Sequence, residues 1–253
     1  MTRLELEHGA LEVLDLPGDG PALVLLHEGL GSVRLWRDFP AALAQVTCAR
    51  VIAFSRFGHG DSDPPPRPRT ARFMHAEALE VLPALLRAME IDQPVLVGHS
   101  DGASIALIHA AARPVRAVVA IAPHVFVEEM CLAEIREARR AYEAHGLRAR
   151  MAHHHRDPDA AFYGWNDVWL HPEFPRWDIT EVLSDITCPL LLIQGDHDQY
   201  GTMAQLDAIE ARVQGPVERL HLPARHAPQL EAPEETLTAV AGFVRRVADR
   251  LHN

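Results

Sequence analysis

Cysteine, positive charge and long apolar runs are all scarce in this sequence, and each scarcity excludes a class of protein. The three cysteines stand far apart, so they provide neither a disulfide framework nor a zinc signature, which favours a reducing cytoplasm. The formal net charge is −11, which argues against nucleic-acid and anionic-membrane partners because few cations are available to neutralise phosphates. No apolar run approaches the roughly 18 residues of a membrane-spanning helix.

Signals for secretion, metal binding and nucleotide binding are also weak. The first residues carry acids where a signal peptide needs an apolar core, which again favours a cytoplasmic location. His153-His154-His155 resembles a metal tract, but adjacent residues on a helix cannot all face one ion, so we interpret it as a solvated segment. No lysine follows Gly58-His59-Gly60, so a phosphate loop is not indicated. We expect no metal, no organic cofactor, and a monomer or homodimer.

Strand and helix patterns alternate along most of the chain, which is typical of an α/β fold. Two antiparallel edge strands over 4–7 and 11–16 are predicted to turn at His8-Gly9-Ala10. Further runs, most of them apolar throughout, predict a mostly parallel sheet of about eight strands with helices on both faces. These strands are predicted at 22–26, 50–55, 94–97, 115–122, 189–193 and 217–222. Helices are predicted at 36–44, 73–89 (with a kink or a join at Pro83), 103–112, 203–213 and 233–251.

The alternation stops between residues 125 and 177. This stretch has helical segments and three tryptophans but no pattern typical of a sheet strand. We therefore predict a core domain over 1–124 and 178–253, and a helical cap over 125–177 inserted above the strand ends.

The pattern Gly-x-Ser-x-Gly at Gly98 to Gly102 lies between a predicted buried strand and a predicted helix. A tight strand-to-helix turn of this kind presents Ser100 at its tip and places the first amides of the helix beside it. A serine hydroxyl needs a base within reach, and the base needs an acceptor that fixes its tautomer. Asp196 and Asp198 follow one later predicted strand, and His226 follows the last one. The order serine, acid, histidine along the chain is the one expected for a serine in this kind of turn.

Along nearly its whole length the chain resembles the α/β-hydrolase superfamily. The resemblance implies a triad of Ser100, Asp198 and His226, since the acid usually follows three residues after the glycine that ends its strand; Asp196 is the alternative. It also implies an oxyanion hole made of the amides of Asp101 and of Gly29. The motifs that carry the resemblance are residues 25–32, 55–62, 97–102, 189–198 and 226–233.

Two acidic residues depart from the common family pattern. Glu28 stands where glycine is frequent, and a carboxylate beside an oxyanion is unfavourable unless it points away or is paired. Asp101 follows the serine, and its side chain is interpreted either as a partner of the loop near Gly29 or as the group that binds a cation on the substrate. The Ser-Asp-Gly stretch is similar to that of valacyclovir-hydrolase-like enzymes, in which an acid at this place recognises an α-amino group.

Several residues at the strand ends and in the cap are candidates for substrate contact. They are Glu28, His27, His124 and Trp165, with Trp169 and Tyr163 as further aromatic candidates for an acyl pocket.

The function that these features predict is serine hydrolysis of a small carboxylic ester or lactone. The alternatives are a carbon–carbon bond hydrolase of aromatic degradation, which the cap and motifs also resemble, and a small-molecule-binding or acyltransferase member of the same superfamily. The partner expected is a small-molecule substrate.

Overall fold

Eight strands form one sheet in the computed structural model, which describes residues 1–249. The sheet order is first, second, fourth, third, then fifth to eighth, and only the first two strands run antiparallel to their neighbours. The remaining pairs are parallel. In chain order the strands are β1 (Thr2–Leu6), β2 (Gly9–Leu16), β3 (Gly20–Leu26), β4 (Ala49–Phe54), β5 (Val95–His99), β6 (Ala117–Ile121), β7 (Leu190–Gly195) and β8 (Val217–Leu222).

Ten α-helices connect and cover these strands within the described residues. They are α1 (Phe39–Thr47), α2 (Phe73–Ala76), α3 (Leu82–Ala88), α4 (Asp101–Ala112), α5 (Glu129–Ala144), α6 (Leu147–Met151), α7 (Pro158–Trp169), α8 (Ala204–Glu210), α9 (Pro228–Glu231) and α10 (Pro233–Asp249). None of the helices in residues 1–249 combines the length and the apolarity needed to cross a bilayer.

Alternate residues of the central strands enter two different hydrophobic layers. On β3, Val24 and Leu26 pack in the layer that contains α4, whereas Leu23 and Leu25 pack in the layer that contains α1 and α10. All four side chains are fully buried or nearly so. The predicted α/β-hydrolase fold, with a mostly parallel sheet and helices on both faces, is confirmed, and the strand ends meet along one edge where loops can gather.

Several predicted elements differ from the observed ones, and three of the differences have identifiable reasons. The β1–β2 turn comprises Glu7 and His8, because Leu6 already pairs with Gly9. Helix α1 starts later than predicted, with Pro40 in its first turn, where a missing amide hydrogen costs nothing. The helix predicted over 73–89 is divided by a π-helical turn, Glu77–Val81, which ends two residues before Pro83. A proline has no amide hydrogen for the regular helical ladder, so a wider turn accommodates it. The end of the helix predicted to reach 251 lies outside the described residues.

The segment between β6 and β7 folds into α5, α6 and α7 and adds no strand to the sheet among the described residues. Tyr142 of α5 stacks on Phe162 of α7 with ring centroids 3.8 Å apart, which ties the two helices together. A bridge between Phe126 and Asp178 closes the base of the segment. The helices fall within the predicted 125–177 cap, whose status as a separate domain stays a prediction.

Candidate active site

Ser100 occupies a strained backbone position between β5 and α4. Its φ of 53° and ψ of −120° lie in a region that residues other than glycine rarely adopt. A Cβ on Gly102 would lie 2.0 Å from the carbonyl oxygen of Leu26, and a Cβ on Gly98 would lie 2.3 Å from that of Gly102. Close approach of the backbone therefore requires both glycines, and it fixes the serine at the tip of the turn.

Ser100, His226 and Asp198 form a chain of hydrogen bonds although they come from three separate strand ends. The Oγ atom of Ser100 lies 2.9 Å from Nε2 of His226, and Nδ1 of His226 lies 2.9 Å from both carboxylate oxygens of Asp198. With Nδ1 donating to the carboxylate, Nε2 is left to accept from the serine hydroxyl. The geometry is that of a hydroxyl next to a base whose tautomer is fixed by an acid.

Asp198, and not Asp196, contacts the imidazole. One Asp198 oxygen accepts a hydrogen bond from Nε2 of Gln194 (2.7 Å) and the other accepts one from the amide of Tyr200 (2.8 Å). Burial raises the pKa of Asp198, but its hydrogen bond and charge interaction with His226 outweigh burial, so the pKa is lowered overall. Asp196 is exposed on the same loop, and its backbone amide donates to the carbonyl of Leu222.

The loop of residues 27–32, which follows β3, passes close to Ser100. A Cβ on Gly29 would lie 2.1 Å from the indole nitrogen of Trp165, so only glycine fits between this loop and α7. Gly29 and Asp101, the two predicted oxyanion donors, both line the cavity that contains Ser100. Asp101 is the first residue of α4, where backbone amides have no partner within the helix.

The Glu28 carboxylate is paired with an imidazole. Its Oε2 lies 3.5 Å from Nδ1 of His99, and a Cβ on Gly31 would lie 2.5 Å from the same oxygen. Burial raises the pKa of Glu28, but its interaction with the His99 imidazole outweighs burial and holds the pKa at about 2. Glu28 is therefore anionic at neutral pH, and it lines the cavity above Ser100.

Asp101 places a second, poorly satisfied carboxylate at the cavity. The residue is 1% exposed, and within residues 1–249 its Oδ2 atom has no hydrogen-bond partner. Burial raises the pKa of Asp101 to about 6, although the charges of Arg56 and Arg69 act in the opposite direction. Neither carboxylate oxygen hydrogen-bonds the loop at Gly29, which removes the first of the two interpretations offered by the sequence.

Comparison with known proteins places this arrangement in a family. Residues 23–239 match the alpha/beta hydrolase family over most of the chain. The chain belongs to the alpha/beta hydrolase family. Among curated relatives of this hydrolase, the mouse serine hydrolase BPHL is 28% identical over 249 residues, which cover 90% of this chain and 81% of the relative.

Solved structures share the fold of this hydrolase at low sequence identity. The enol-lactonase from Burkholderia xenovorans LB400 superposes with a TM-score of 0.77 at 20% identity, covering 96% of this chain and all of the other. Proline iminopeptidase from Mycobacterium smegmatis also has a TM-score of 0.77, at 18% identity, and covers 99% of both chains.

The cavity above Ser100 in this alpha/beta hydrolase is small, at about 100 Å³. Larger hollows of about 510 and 610 Å³ open elsewhere on the surface and touch none of the three hydrogen-bonded residues. A space of this size admits an acyl group of only a few heavy atoms without movement of the helices above it. It is lined by Glu28, Gly29, Leu30, Ser100, Asp101, His124, Cys131, Ile135, Trp165, Trp169, Tyr200 and His226.

The predicted substrate-contact residues divide into two groups. Glu28, His124 and Trp165 line the cavity, together with Trp169. His124 is buried against Trp169, and burial lowers its pKa to about 3, so it is neutral at the site. His27 was predicted to contact the substrate, but its side chain is fully buried under the rest of the 27–32 loop. Its Nδ1 atom is hydrogen-bonded to the carbonyl of Glu28, and its Nε2 atom to the backbone amide of Arg56.

The histidine tract at 153–155 is only partly as predicted. His155 is buried, at 5% exposure, because both of its ring nitrogens are used: Nδ1 accepts from the amide of Gly60 and Nε2 donates to the carbonyl of Leu30. The interpretation of the whole tract as solvated was therefore wrong for His155. Within residues 1–249, no group of three or more histidine, cysteine or carboxylate side chains is arranged to hold a metal ion.

Sequence reasoning missed several residues that support the hydrolase site. Tyr200 packs on His226 with ring centroids 4.6 Å apart, and Gln194 donates to Asp198. His99 lies behind the site, where its Nε2 donates to the carbonyl of His226 (2.7 Å). Closeness in sequence could have indicated two of these residues, since Tyr200 is two residues from Asp198 and His99 is adjacent to Ser100.

Proposed function

We propose that this alpha/beta hydrolase cleaves small carboxylic esters or lactones through an acyl-enzyme on Ser100. The single observation that carries the proposal is the continuous hydrogen-bonded chain from the Ser100 hydroxyl through His226 to Asp198. The family match and the similarity to a serine hydrolase and to an enol-lactonase support hydrolysis of an ester bond.

The geometry supports a two-step mechanism. As Oγ of Ser100 attacks the carbonyl carbon, Nε2 of His226 takes the hydroxyl proton and Asp198 stabilises the imidazolium. The oxyanion of the tetrahedral intermediate accepts from the amides of Gly29 and Asp101. His226 then returns the proton to the leaving alkoxide, which departs from an ester and stays tethered to the acyl group in a lactone. A water molecule, deprotonated by His226, attacks the acyl-enzyme and releases the acid.

Replacement of the nucleophile tests the proposal. We expect Ser100→Ala to lower kcat on p-nitrophenyl acetate and p-nitrophenyl butyrate by at least about 10⁴-fold while the fold is retained. A fluorophosphonate probe is expected to label the wild type at Ser100 and to leave the variant unlabelled. A wild type that neither turns over these esters nor reacts with the probe would indicate a protein that only binds small molecules, and the proposal would be rejected.

The Asp101 side chain supports a preference for substrates with a cationic group near the scissile bond. Its carboxylate is buried, faces the cavity and has an unpartnered oxygen, so an ammonium group there would gain a hydrogen bond and a charge partner. We expect the wild type to favour the p-nitrophenyl ester of alanine over p-nitrophenyl propionate, which lacks only the amino group.

The same pair of substrates tests the role of Asp101. Asp101→Asn is expected to lower the ratio of the two kcat/KM values by about 10-fold or more. Because the pKa of Asp101 is about 6, the wild-type ratio is expected to fall as the pH drops below 6. A pH dependence of the catalytic steps that the two substrates share cancels in the ratio. An unchanged ratio in Asp101→Asn would remove the cation-binding role and leave the ester hydrolysis intact.

A further inference from the structure

Arg56, directly after β4, carries a guanidinium that is buried beneath the 27–32 loop. The residue is 1% exposed, and within the described residues no carboxylate lies within ion-pair distance of it. Its Nη1 atom has no hydrogen-bond partner among those residues. The Nη2 atom donates to the carbonyl oxygen of Glu28 at 2.7 Å. Its charge acts on the buried carboxyl groups of Asp101 and Glu77, but a buried cation without a direct ion pair is still unfavourable for folding, so we infer that Arg56 has a role other than stability.

The carbonyl oxygen of Glu28 accepts hydrogen bonds from three donors. Besides Arg56, Nδ1 of His27 donates to it at 2.7 Å, and the amide of Gly31 donates to it at 3.1 Å. The tautomer of His27 is defined, because its Nε2 accepts from the backbone amide of Arg56 at 3.0 Å. Burial, with the charge of Arg56, lowers the pKa of His27 well below its ordinary value, so the ring is neutral and keeps its proton on Nδ1.

This carbonyl belongs to the same peptide unit as the amide of Gly29, the proposed oxyanion donor. A trans peptide is planar, and its C=O and N–H point in opposite directions. Donors that fix the oxygen on one side therefore fix the direction of the N–H on the other. A cation hydrogen-bonded to the oxygen also polarises the peptide, which strengthens the hydrogen bond that the N–H donates.

We propose that Arg56 is a positioning residue for the oxyanion hole, acting through the Glu28–Gly29 peptide with His27 as its neutral partner. The inference rests on the proposed function, because it assigns the Gly29 amide to the oxyanion of ester hydrolysis. Arg56 does not line the cavity and touches no substrate. Through this peptide it acts on the charge that develops on the carbonyl oxygen in the transition state, so with an uncharged ester it changes kcat more than KM.

This role predicts that stability and activity respond differently to removal of the charge. Arg56→Met keeps a long apolar stem and removes a buried, unpaired cation, so we expect the variant to unfold at the same or a higher urea concentration than the wild type. A residue that merely holds the loop together would instead lower the urea midpoint when replaced.

The experiment compares four proteins on p-nitrophenyl butyrate: the wild type, Arg56→Met, Arg56→Lys and Arg69→Met. Arg69 is a matched control because it is a neighbouring arginine whose charge also reaches Asp101, but it donates to the carbonyl of Phe57 rather than to that of Glu28. We expect Arg56→Met to lower kcat by about 10- to 100-fold, less than the loss of an oxyanion donor itself, with KM changed by less than about 3-fold. Arg56→Lys, which keeps a charged donor, is expected to recover part of this loss, and Arg69→Met to lose far less.

The possible failures are distinguishable. A wild type that turns over the ester, together with an Arg56→Met variant whose kcat is within about 3-fold of it, would overturn this inference alone. A kcat loss in Arg56→Met that is matched by Arg69→Met, or accompanied by a lower urea midpoint, would also overturn it. A wild type without ester turnover would overturn the proposed function and this inference together.

Discussion

At the residue scale, the assignment of Asp198 as the proposed catalytic acid makes a selective prediction. Asp198→Asn would supply an amide where His226 needs an anionic acceptor, so we expect kcat on p-nitrophenyl butyrate to fall by about 10⁴-fold. Asp196→Asn, two residues away on an exposed part of the same loop, is the matched control and is expected to retain wild-type activity. Equal losses in both variants would contradict the assignment.

Asp101 illustrates how a residue with a proposed function can oppose stability. Its folded-state pKa of about 6 lies above the ordinary value of 3.8, so the folded chain holds a proton that the unfolded chain releases. Stability from this group is therefore full below about pH 4 and is lost as pH rises through 6, by about 2–3 kcal/mol in total. We expect Asp101→Asn to raise the urea midpoint at pH 8 and to change it little at pH 4. No stabilisation at pH 8 would show that the carboxylate is better solvated than its burial indicates.

The site residues that the sequence predicted are those that follow from order along the chain. Ser100, Asp198 and His226 each follow a recognisable strand, and parallel strands bring their carboxyl ends together. The direction of a side chain that has several possible partners does not follow from order. The pairing of Glu28 with His99, and the burial of Arg56 beneath the 27–32 loop, depend on contacts between segments distant in sequence.

At the element scale, adding a side chain to a glycine of the strand-to-helix turn, Gly98 or Gly102, has a different cost from adding one to a glycine within a helix. A Cβ at Gly102 would lie 2.0 Å from the carbonyl oxygen of Leu26, and backbone atoms of β3 have no room to move. We expect Gly102→Ala to lower the free energy of unfolding by at least about 3 kcal/mol and to abolish activity, since β3 also leads into the 27–32 loop.

The contrasting variant is Gly242→Ala in α10. A Cβ there would meet only the end of the Arg246 side chain, at 3.3 Å, which is free to move. Alanine is the better helix former, so we expect about 0.5–1 kcal/mol of added stability and unchanged activity. Urea unfolding of both variants measures the difference, and similar destabilisation by the two substitutions would show that close approach at the elbow is not the cause.

Element types were predictable from the sequence, whereas several element boundaries were not. Buried parallel strands are apolar runs of limited length, and β8 matches its predicted bounds, 217–222. The π-helical turn Glu77–Val81 was not predicted, although Pro83 marked the join, because the wider turn is one of several ways in which a helix accommodates proline.

At the scale of the whole molecule, the notable feature is a set of histidines buried in neutral form. His27, His59, His124 and His155 are each at most 5% exposed, and burial lowers the pKa of all four. Three of them, His27, His59 and His155, lie in edge contact in a row beneath the 27–32 loop. Below about pH 6.5 these histidines are therefore protonated in the unfolded chain while the folded chain resists their protonation.

This difference in proton binding between the two states predicts that the folded protein loses stability in acid. Because the folded-state pKa values are depressed, their contribution to stability is present above about pH 6.5 and is lost as the pH falls. Each of His27, His59 and His124, whose pKa values are lowered furthest, accounts for about 0.8 kcal/mol between pH 8 and pH 6. We expect the free energy of unfolding, followed by the fluorescence of the buried tryptophans, to drop by about 2 kcal/mol over that interval, because the rising contribution of Asp101 offsets part of the loss from the histidines.

The decisive comparison uses His59, whose two ring nitrogens both lack hydrogen-bond partners among the described residues. His59→Leu replaces an unsatisfied polar ring with an apolar side chain, so it is expected to raise stability at pH 6 and to make the pH dependence shallower by about one proton. His145→Gln, at an exposed position, is the control for the loss of any histidine. If His59→Leu and His145→Gln gave the same slope as the wild type, the acid sensitivity would not arise from the histidines buried beneath the 27–32 loop.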